Sequence, residues 1–224
     1  MKESVAKQLL QKVQEDYATI ADEFSQTRQY AWPEFKHFKK YINPGDTILD
    51  LGCGNGRLYE SLKDLQNIKY IGIDNNKKFI QLAQKKYTDT KFIVGDALNI
   101  PLKEDIDIVL SIASLHHIAS SRLRKKSVRE LSRITKKNGY VIVTVWDLFQ
   151  KRYRKYILQS LFKYFIQFGK YDWNDTFIPW GKTGVKRYYH AFTKRELKKL
   201  FEKNGFEIVE LFKTNNLCLV CRKK

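Results

Sequence analysis

The sequence has few cysteines and no long apolar run. Three cysteines among 224 residues cannot form the disulfide framework of a small secreted domain, and reduced thiols suit the cytoplasm, where we expect the protein. No stretch approaches the roughly 18 apolar residues that a membrane-spanning helix needs. The first ten residues, MKESVAKQLL, contain no apolar core of a secretion signal. Secretion and membrane spanning are therefore not expected.

Acidic residues are also scarce, because 24 Asp+Glu stand against 42 Lys+Arg and the net charge is +18. The imbalance is local. Residues 1–119 carry 16 residues of each sign, residues 120–170 carry 14 basic and 2 acidic residues, and residues 171–224 carry 12 and 6. The whole excess follows residue 119, which predicts an anionic partner on one side of the molecule. A solvated basic face without a partner is the alternative, and so uneven a distribution disfavours it.

Apolar residues are plentiful enough for a core, at 43% of the chain with 14% aromatics. This composition excludes extended disorder, and the length predicts one domain over residues 1–224. Short Ile- and Val-rich runs without strict alternation predict buried parallel strands. They lie at Thr47–Leu51, Lys69–Ile73, Lys91–Val94, Asp107–Ala113 and Tyr140–Trp146. Helical patterns at Arg57–Leu65, Lys77–Lys86 and Arg122–Thr135 alternate with them. The sequence therefore predicts an α/β fold with a doubly wound sheet.

Two segments lie outside this rhythm. Residues 5–42 form a predicted N-terminal helical cap with a break at Trp32-Pro33, and residues 148–190 form an insertion after the fifth strand. In the insertion, basic residues stand between apolar residues at helical spacing, which predicts a basic amphipathic helix. The apolar stripe comprises Phe149, Tyr153, Tyr156, Ile157, Leu161, Tyr164, Phe165 and Phe168. Such a stripe more often packs on the core, and the pattern leaves open whether the basic face meets RNA or a membrane.

The clearest chemical signal is a glycine-rich turn, Ile48–Gly56, that follows a predicted strand. Glycines at 52, 54 and 56 let the backbone turn sharply and approach a ligand. Asp74 ends the next strand, where a carboxylate can accept hydrogen bonds from both ribose hydroxyls, and Asp96 is placed to meet an adenine amino group. The GxGxG spacing, with Asp50 just before it, disfavours a dinucleotide, and a phosphate site would need basic residues here.

This DLGCGNG…GID…GDA series resembles the class I S-adenosylmethionine-dependent methyltransferases. The resemblance implies a Rossmann-like, mostly parallel sheet with an antiparallel last strand. It also implies S-adenosylmethionine as the methyl donor and S-adenosylhomocysteine as the product. The implied cofactor-binding residues are Asp50, Gly52, Cys53, Gly54, Gly56, Asp74, Asn75, Asp96, Ala97 and Ser111.

Further segments resemble the tRNA wobble-uridine methyltransferases, which esterify the carboxylate of 5-carboxymethyluridine in the anticodon. The segments are Tyr17–Arg28 with Trp32-Pro33, Ser111–His117, Asp175–Trp180 and Lys186–Phe192. This resemblance spans nearly the whole chain, although Asn138-Gly139 and Trp146-Asp147 depart from the family's pattern and the 148–180 insertion is the chain's own. It implies a tRNA anticodon stem-loop as partner and a monomer, or a heterodimer with a small zinc-binding activator protein. The sequence leaves open whether this chain needs that activator.

Two other functions compete with this hypothesis. The basic aromatic helix would also suit a small-molecule or lipid-linked class I methyltransferase at an anionic membrane surface. A non-enzymatic RNA-binding relative is the third hypothesis, which the complete cofactor motifs disfavour.

The carboxylate that is to be esterified is already ionised at neutral pH, since carboxyl pKa values are about 4. Methyl transfer to it needs orientation and hydrogen-bond donors rather than a strong base. The candidate catalytic residues are His116, Arg28 and Arg187. The candidate substrate-binding residues are Tyr17, Trp146, Tyr188, His190, Arg122, Arg124 and Lys125. We expect no metal site, since the Cys218 and Cys221 thiols lie three residues apart on a predicted strand and so face opposite ways.

Overall fold

The structure is a computed structural model that describes residues 1–28, 32–103, 105–166, 170–181 and 183–224. The helices are α1 (Glu3–Thr27), α2 (Phe35–Phe38), α3 (Lys77–Lys86), α4 (Ser121–Ile134), α5 (Arg154–Ile166) and α6 (Lys194–Glu202). The first five strands are β1 (Thr47–Leu51), β2 (Lys69–Asp74), β3 (Lys91–Val94), β4 (Ile106–Ile112) and β5 (Thr135–Trp146). The remaining strands are β6 (Asp175–Pro179), β7 (Lys186–His190), β8 (Phe206–Lys213) and β9 (Asn216–Lys223).

A seven-stranded sheet forms the centre of the molecule, in the order β3-β2-β1-β4-β5-β9-β8. The strands β1 to β5 run parallel to one another, whereas β9 is antiparallel to both β5 and β8. The predicted doubly wound, mostly parallel sheet with an antiparallel last strand is confirmed. Apolar clusters cover both faces of the sheet, and Cys218 belongs to one cluster while Cys221 belongs to the other.

Local sequence accounts for the position of several helices and strands. The strands β1 and β3 and the helix α3 begin and end where the sequence predicts. Asn76 caps α3, because its side-chain oxygen accepts hydrogen bonds from the backbone N–H groups of Lys78 and Phe79. Among the described residues, no helix combines the length and the hydropathy needed to cross a bilayer.

The predicted helix over Arg57–Leu65 is wrong. The segment forms turns and a short 3₁₀ helix, Tyr59–Ser61, whose backbone N–H groups bond three residues back. Leu58, Tyr59 and Leu62 are all buried, and Tyr59 donates its hydroxyl to Asp89. The segment therefore winds with the i→i−3 bonds of a 3₁₀ helix, held on the apolar cluster beneath it and by the Tyr59–Asp89 hydrogen bond.

Only part of the aromatic stripe predicted over Phe149–Phe168 packs on the core. Tyr153, Tyr156 and Ile157 pack on a small cluster that contains Tyr189. The helix starts at Arg154, and its second half leaves Phe165 74% exposed and Tyr164 38% exposed. Phe168 lies outside the described residues. The helix is apolar on two edges rather than amphipathic as predicted, and only the edge with Tyr156 and Ile157 packs on the core.

A candidate methyl-transfer site

A cavity of about 360 Å³ opens at the carboxyl ends of β1, β2 and β4. This is the edge of an open α/β sheet where ligands bind. Helix α1 forms one wall through Leu10, Val13, Gln14 and Tyr17. Gln14 also donates its side-chain N–H to the carbonyl of Asn75, which ties α1 to the loop after β2. The cavity is therefore enclosed between the sheet edge and the N-terminal helix.

The glycine turn shapes the floor of the cavity. Gly52 has a φ of +81°, and a Cβ there would lie 2.3 Å from the Ser114 hydroxyl oxygen. Gly54 has a φ of +54° with no atom within 4 Å of such a Cβ, so its missing side chain leaves open space. The backbone N–H of Gly54 donates to Asp74 Oδ2 at 2.9 Å. Only glycine meets both the backbone and the space requirements at this turn.

Three carboxylates line the same cavity. Asp50 is only 2% exposed, accepts a hydrogen bond from the Tyr70 hydroxyl at 2.7 Å, and has its pKa raised by burial to about 7. Burial also raises the pKa of Asp74. The backbone N–H groups of Asn76 and Gly54 oppose this shift, because they stabilise the charged carboxylate. Asp96 accepts from the backbone N–H of Leu98 at the third strand end. A cationic nucleoside ligand matches this arrangement of acids.

The residues present fit S-adenosylmethionine: an acid-lined cradle with open space above Gly54 can take a sulfonium and a ribose. Most of the predicted cofactor-binding residues line the cavity, namely Asp50, Gly52, Cys53, Gly54, Asp74, Asn75, Asp96 and Ala97. Gly56 and Ser111 are not among the lining residues. A Cβ on Gly56 would contact the Phe92 ring at 2.8 Å, and Ser111 is buried within β4. Both residues therefore shape the cradle from behind it.

One end of the cavity is rich in hydrogen-bond donors, and we call the part lined by His116, Trp146, Trp180 and Arg187 the acceptor chamber. Arg187 is 3% exposed, and its guanidinium lies 4.6 Å from the centre of the Trp180 ring. Within the described residues it makes no ion pair, and its Nε has no hydrogen-bond partner. A buried cation without a carboxylate is costly, which indicates a site built to receive an anion.

His116 presents a neutral N–H to the acceptor chamber. The backbone N–H of Trp146 donates to His116 Nδ1 at 3.2 Å, so the ring proton of the neutral imidazole sits on Nε2. That Nε2 is buried and has no partner among the described residues. Burial, reinforced by the neighbouring His117 and Arg187, holds the pKa of His116 well below its usual range. His116 is therefore a hydrogen-bond donor rather than a base or a cation at neutral pH.

Tyr17 and His117 support Arg187 from the α1 side. His117 Nδ1 donates to the carbonyl of Tyr188, so its Nε2 accepts the Tyr17 hydroxyl proton at 2.8 Å. The Tyr17 oxygen in turn accepts from Arg187 Nη1 at 3.2 Å. Burial lowers the pKa of His117 to about 3. The other predicted catalytic residue, Arg28, lines the cavity with its guanidinium 5.2 Å from the Trp180 ring centre.

The structure does not bring Tyr188 and His190 to the cavity, contrary to the prediction. Side chains alternate along a strand, so Arg187 and Tyr189 face one side of β7 while Tyr188 and His190 face the other. Tyr188 is fully buried and donates to Asp175 Oδ1 at 2.7 Å. His190 lies between Asp175 at 2.8 Å and Glu196 at 2.8 Å. These two residues anchor the β6–β7 hairpin.

The three basic candidates on α4 also lie outside the cavity. Arg124 is 2% exposed and donates to Asp172 Oδ2 at 3.0 Å and to the carbonyl of Ile118, so it is an interior ion pair and not an RNA contact. Arg122 is exposed and pairs with Glu3 at 2.8 Å, and Lys125 is exposed on the same helix. Helical periodicity explains the difference, because Arg124 is on the buried face of α4.

Two further donors were missed from the sequence: Trp180, which lines the acceptor chamber, and Tyr189, which is fully buried beside it. Tyr189 stacks on Trp146 with ring centres 4.9 Å apart, and its buried hydroxyl has no partner among the described residues. Trp180 Nε1 is also buried and has no hydrogen-bond partner among the described residues. Strand alternation gives the signal for Tyr189, since it shares a face with Arg187. Nothing in the sequence marks Trp180 beyond its place in the Asp175–Trp180 segment.

Comparisons with known proteins agree with this geometry. A family model described as a methyltransferase domain matches residues 42–205. An S-adenosylmethionine-dependent methyltransferase from Methanosarcina mazei has the same fold, with a TM-score of 0.72 at 22% identity over 87% of this chain and 98% of its own. The methyltransferase solved in complex with the Haloferax volcanii Trm112 methyltransferase activator superposes with a TM-score of 0.65 at 19% identity, over 92% of this chain and 97% of its own. The fold is that of the S-adenosylmethionine-dependent methyltransferases.

Curated relatives give a narrower family. The tRNA (carboxymethyluridine(34)-5-O)-methyltransferase of Schizosaccharomyces pombe is 31% identical over 221 residues, which cover 88% of this chain and 90% of that protein. The Arabidopsis thaliana protein of the same name is 39% identical over 131 residues, or 58% of this chain, and the match spans only 31% of that relative. The chain belongs to the family of tRNA (carboxymethyluridine(34)-5-O)-methyltransferases.

Proposed function

We propose that this protein methylates the carboxylate of 5-carboxymethyluridine at the wobble position of tRNA and forms its methyl ester. The observation that carries the proposal is Arg187, a buried guanidinium without a carboxylate partner among the described residues. An acceptor that brings its own negative charge would complete this ion pair on binding. A neutral acceptor would leave the charge unpaired.

The other polar atoms of the acceptor chamber are of the same type. Three buried atoms have no hydrogen-bond partner among the described residues: His116 Nε2 and Trp180 Nε1 in the chamber, and the Tyr189 hydroxyl next to it. Each of them can donate a hydrogen bond. Several donors around one cation match the lone pairs of a carboxylate, which accepts only. An acceptor group that carries N–H donors of its own could not form hydrogen bonds with these donors.

The residues of the acceptor chamber would hold and orient the substrate and would not remove a proton from it. The carboxylate is already ionised at neutral pH, so no general base is required. A neutral His116 donates a hydrogen bond without placing a second full charge on the nucleophilic oxygen. Arg187, held by Tyr17, fixes the other oxygen, and this positioning provides the catalysis.

The cofactor would lie in the acid-lined part of the cavity. We propose that Asp50 and the turn at Gly52 and Gly54 hold the methionine portion, that Asp74 holds the ribose and that Asp96 borders the adenine. When bound, S-adenosylmethionine supplies an electrophilic methyl group on a sulfonium and leaves as S-adenosylhomocysteine. We assign residues 5–42 to a cap over this site and residues 148–190 to its acceptor side.

The proposed macromolecular partner is the tRNA anticodon stem-loop. Exposed basic residues of the second half of the chain, Arg122 and Lys125 among them, would contact its phosphates. A small activator protein is proposed as a second partner, in view of the structural neighbour solved with Trm112.

The test is nucleoside mass spectrometry of bulk tRNA incubated with the protein and methyl-labelled S-adenosylmethionine, with and without such an activator. The proposal predicts label in 5-methoxycarbonylmethyluridine. Label only in other nucleosides, or no label in tRNA under either condition, would refute it. Asp74→Ala is the control variant, which should lose labelling together with cofactor binding.

A further inference from the structure

Helix α5 carries an apolar stripe that nothing in the described part of the chain covers. The stripe consists of Leu158, Phe162, Phe165 and Ile166, which are 66%, 68%, 74% and 58% exposed. These positions recur at spacings of three and four residues and so form one edge of the helix. The opposite edge, with Ile157 and Ser160, is buried against the body of the protein. Exposed stripes of this kind mark interaction surfaces.

The charge around the stripe is of one sign. No acidic residue occurs between positions 148 and 166, whereas Lys151, Arg152, Arg154, Lys155 and Lys163 lie there. Every one of these basic residues is exposed. A second copy of the chain would bring like charges together along this edge, which disfavours self-association. The occupant that fits is anionic and also presents flat apolar faces.

The N-terminal end of α5 lies next to the acceptor chamber. Tyr153, immediately before α5, stacks on Trp146 with ring centres 5.9 Å apart, and Trp146 stacks on Tyr189. The helix itself spans about 20 Å at 1.5 Å per residue. A nucleic acid strand whose target base enters the acceptor chamber therefore passes within reach of this helix.

We infer that the exposed edge of α5 binds unpaired nucleotides of the anticodon loop beside the wobble position. The inference rests on the proposed function and names the contact that would hold the RNA there. Bases would stack on Phe162 and Phe165 and pack on Leu158, while Arg154 and Lys163 would meet the phosphates between them. Aromatic platforms next to a basic track are the general means of holding single-stranded nucleic acid.

The test compares F162A/F165A with V94A/V209A, a control that removes exposed apolar groups from β3 and β8. Two RNAs are used: the anticodon stem-loop, and the same stem closed by a short tetraloop. The inference predicts that F162A/F165A weakens stem-loop binding about tenfold or more. Binding of the tetraloop stem and of S-adenosylhomocysteine stays unchanged, and the KM for tRNA rises while kcat stays within about twofold. The control variant matches the wild type throughout.

Three results would overturn the inference. Stem-loop affinity could be unchanged in F162A/F165A, or the affinity for both RNAs could fall equally. A third is that the phenylalanines are needed for binding vesicles of phosphatidylserine and phosphatidylcholine and not for RNA, which would assign α5 to a lipid surface. If the wild type labels no tRNA at all, the proposed function fails. If it labels tRNA and F162A/F165A behaves like the wild type, only the role of α5 fails.

Discussion

The ionisation of Asp50 offers a test of the proposed cofactor site. Burial raises its pKa to about 7, so the ligand-free site holds this carboxyl partly protonated at neutral pH. The unfolded chain releases the same proton near about pH 4. Asp50 therefore makes the ligand-free fold less stable as the pH rises from about 4 towards 7. A cation bound beside it reverses the preference, because the ionised form attracts the sulfonium.

From this we predict that S-adenosylmethionine binds more tightly as the pH rises. Between pH 6 and 8 the affinity should increase about tenfold, since a group with a pKa near 7 becomes ionised over that interval. S-adenosylhomocysteine lacks the sulfonium charge and should show a flatter profile. Isothermal titration calorimetry at several pH values measures both. A sulfonium-specific slope that persists in Asp50→Asn would contradict this role for Asp50.

The two faces of β7 in the β6–β7 hairpin have different roles. Arg187 and Tyr189 line or border the acceptor chamber, whereas Tyr188 and His190 bind Asp175 in the interior. Asp175 Oδ1 receives hydrogen bonds from both Tyr188 and His190. Neighbouring tyrosines of the same strand should therefore have opposite effects on stability and on catalysis.

The matched pair Tyr188→Phe and Tyr189→Phe tests this division. Tyr188→Phe removes a donor from a buried carboxylate and should lower the free energy of unfolding by about 1–2 kcal/mol, with kcat/KM unchanged. Tyr189→Phe removes a hydroxyl that has no hydrogen-bond partner among the described residues, so stability should be kept. Its kcat/KM should fall about tenfold to a hundredfold, through loss of a hydrogen bond to a charged group. Chemical denaturation and methyl-transfer kinetics give both quantities. Equal effects of the two variants on stability and rate would show that the strand is not divided in this way.

Most helices and strands could be predicted from the sequence, and each wrong prediction has a physical reason. Buried strands such as β1 and the capped helix α3 follow from composition and local hydrogen bonding. The helix after the glycine turn failed because burial of Tyr59 and Leu62 overrode helix propensity. The candidates Tyr188 and His190 are wrong for the cavity because side-chain alternation along β7 places them on the face opposite Arg187. The choice between the two apolar edges of α5 depends on tertiary packing that periodicity does not specify.

Across the whole molecule, the charge division found in the sequence follows most of the division of the site, although His116 of the acceptor chamber comes from the neutral first half. The neutral first half supplies the acid-lined cradle through Asp50, Asp74 and Asp96. The basic second half supplies Arg187, Trp180 and the helix α5. The excess is not all surface charge, because Arg124 and Arg187 are buried. Of the basic excess, Arg124 stabilises the fold and Arg187 is available for an anionic acceptor, whereas most of the other basic residues are exposed.

The most direct test of the account uses two tRNAs that differ at one group of the wobble uridine, carboxymethyl in one and the uncharged carbamoylmethyl in the other. Initial rates of methyl transfer are measured for the wild type, for Arg187→Gln and for the control Lys186→Gln, an exposed neighbour on β7. We predict methylation of the carboxylate only, with kcat/KM reduced about a hundredfold or more by Arg187→Gln, S-adenosylhomocysteine affinity retained, and Lys186→Gln close to the wild type. Comparable rates on the two tRNAs, or an unchanged rate in Arg187→Gln, would contradict the account.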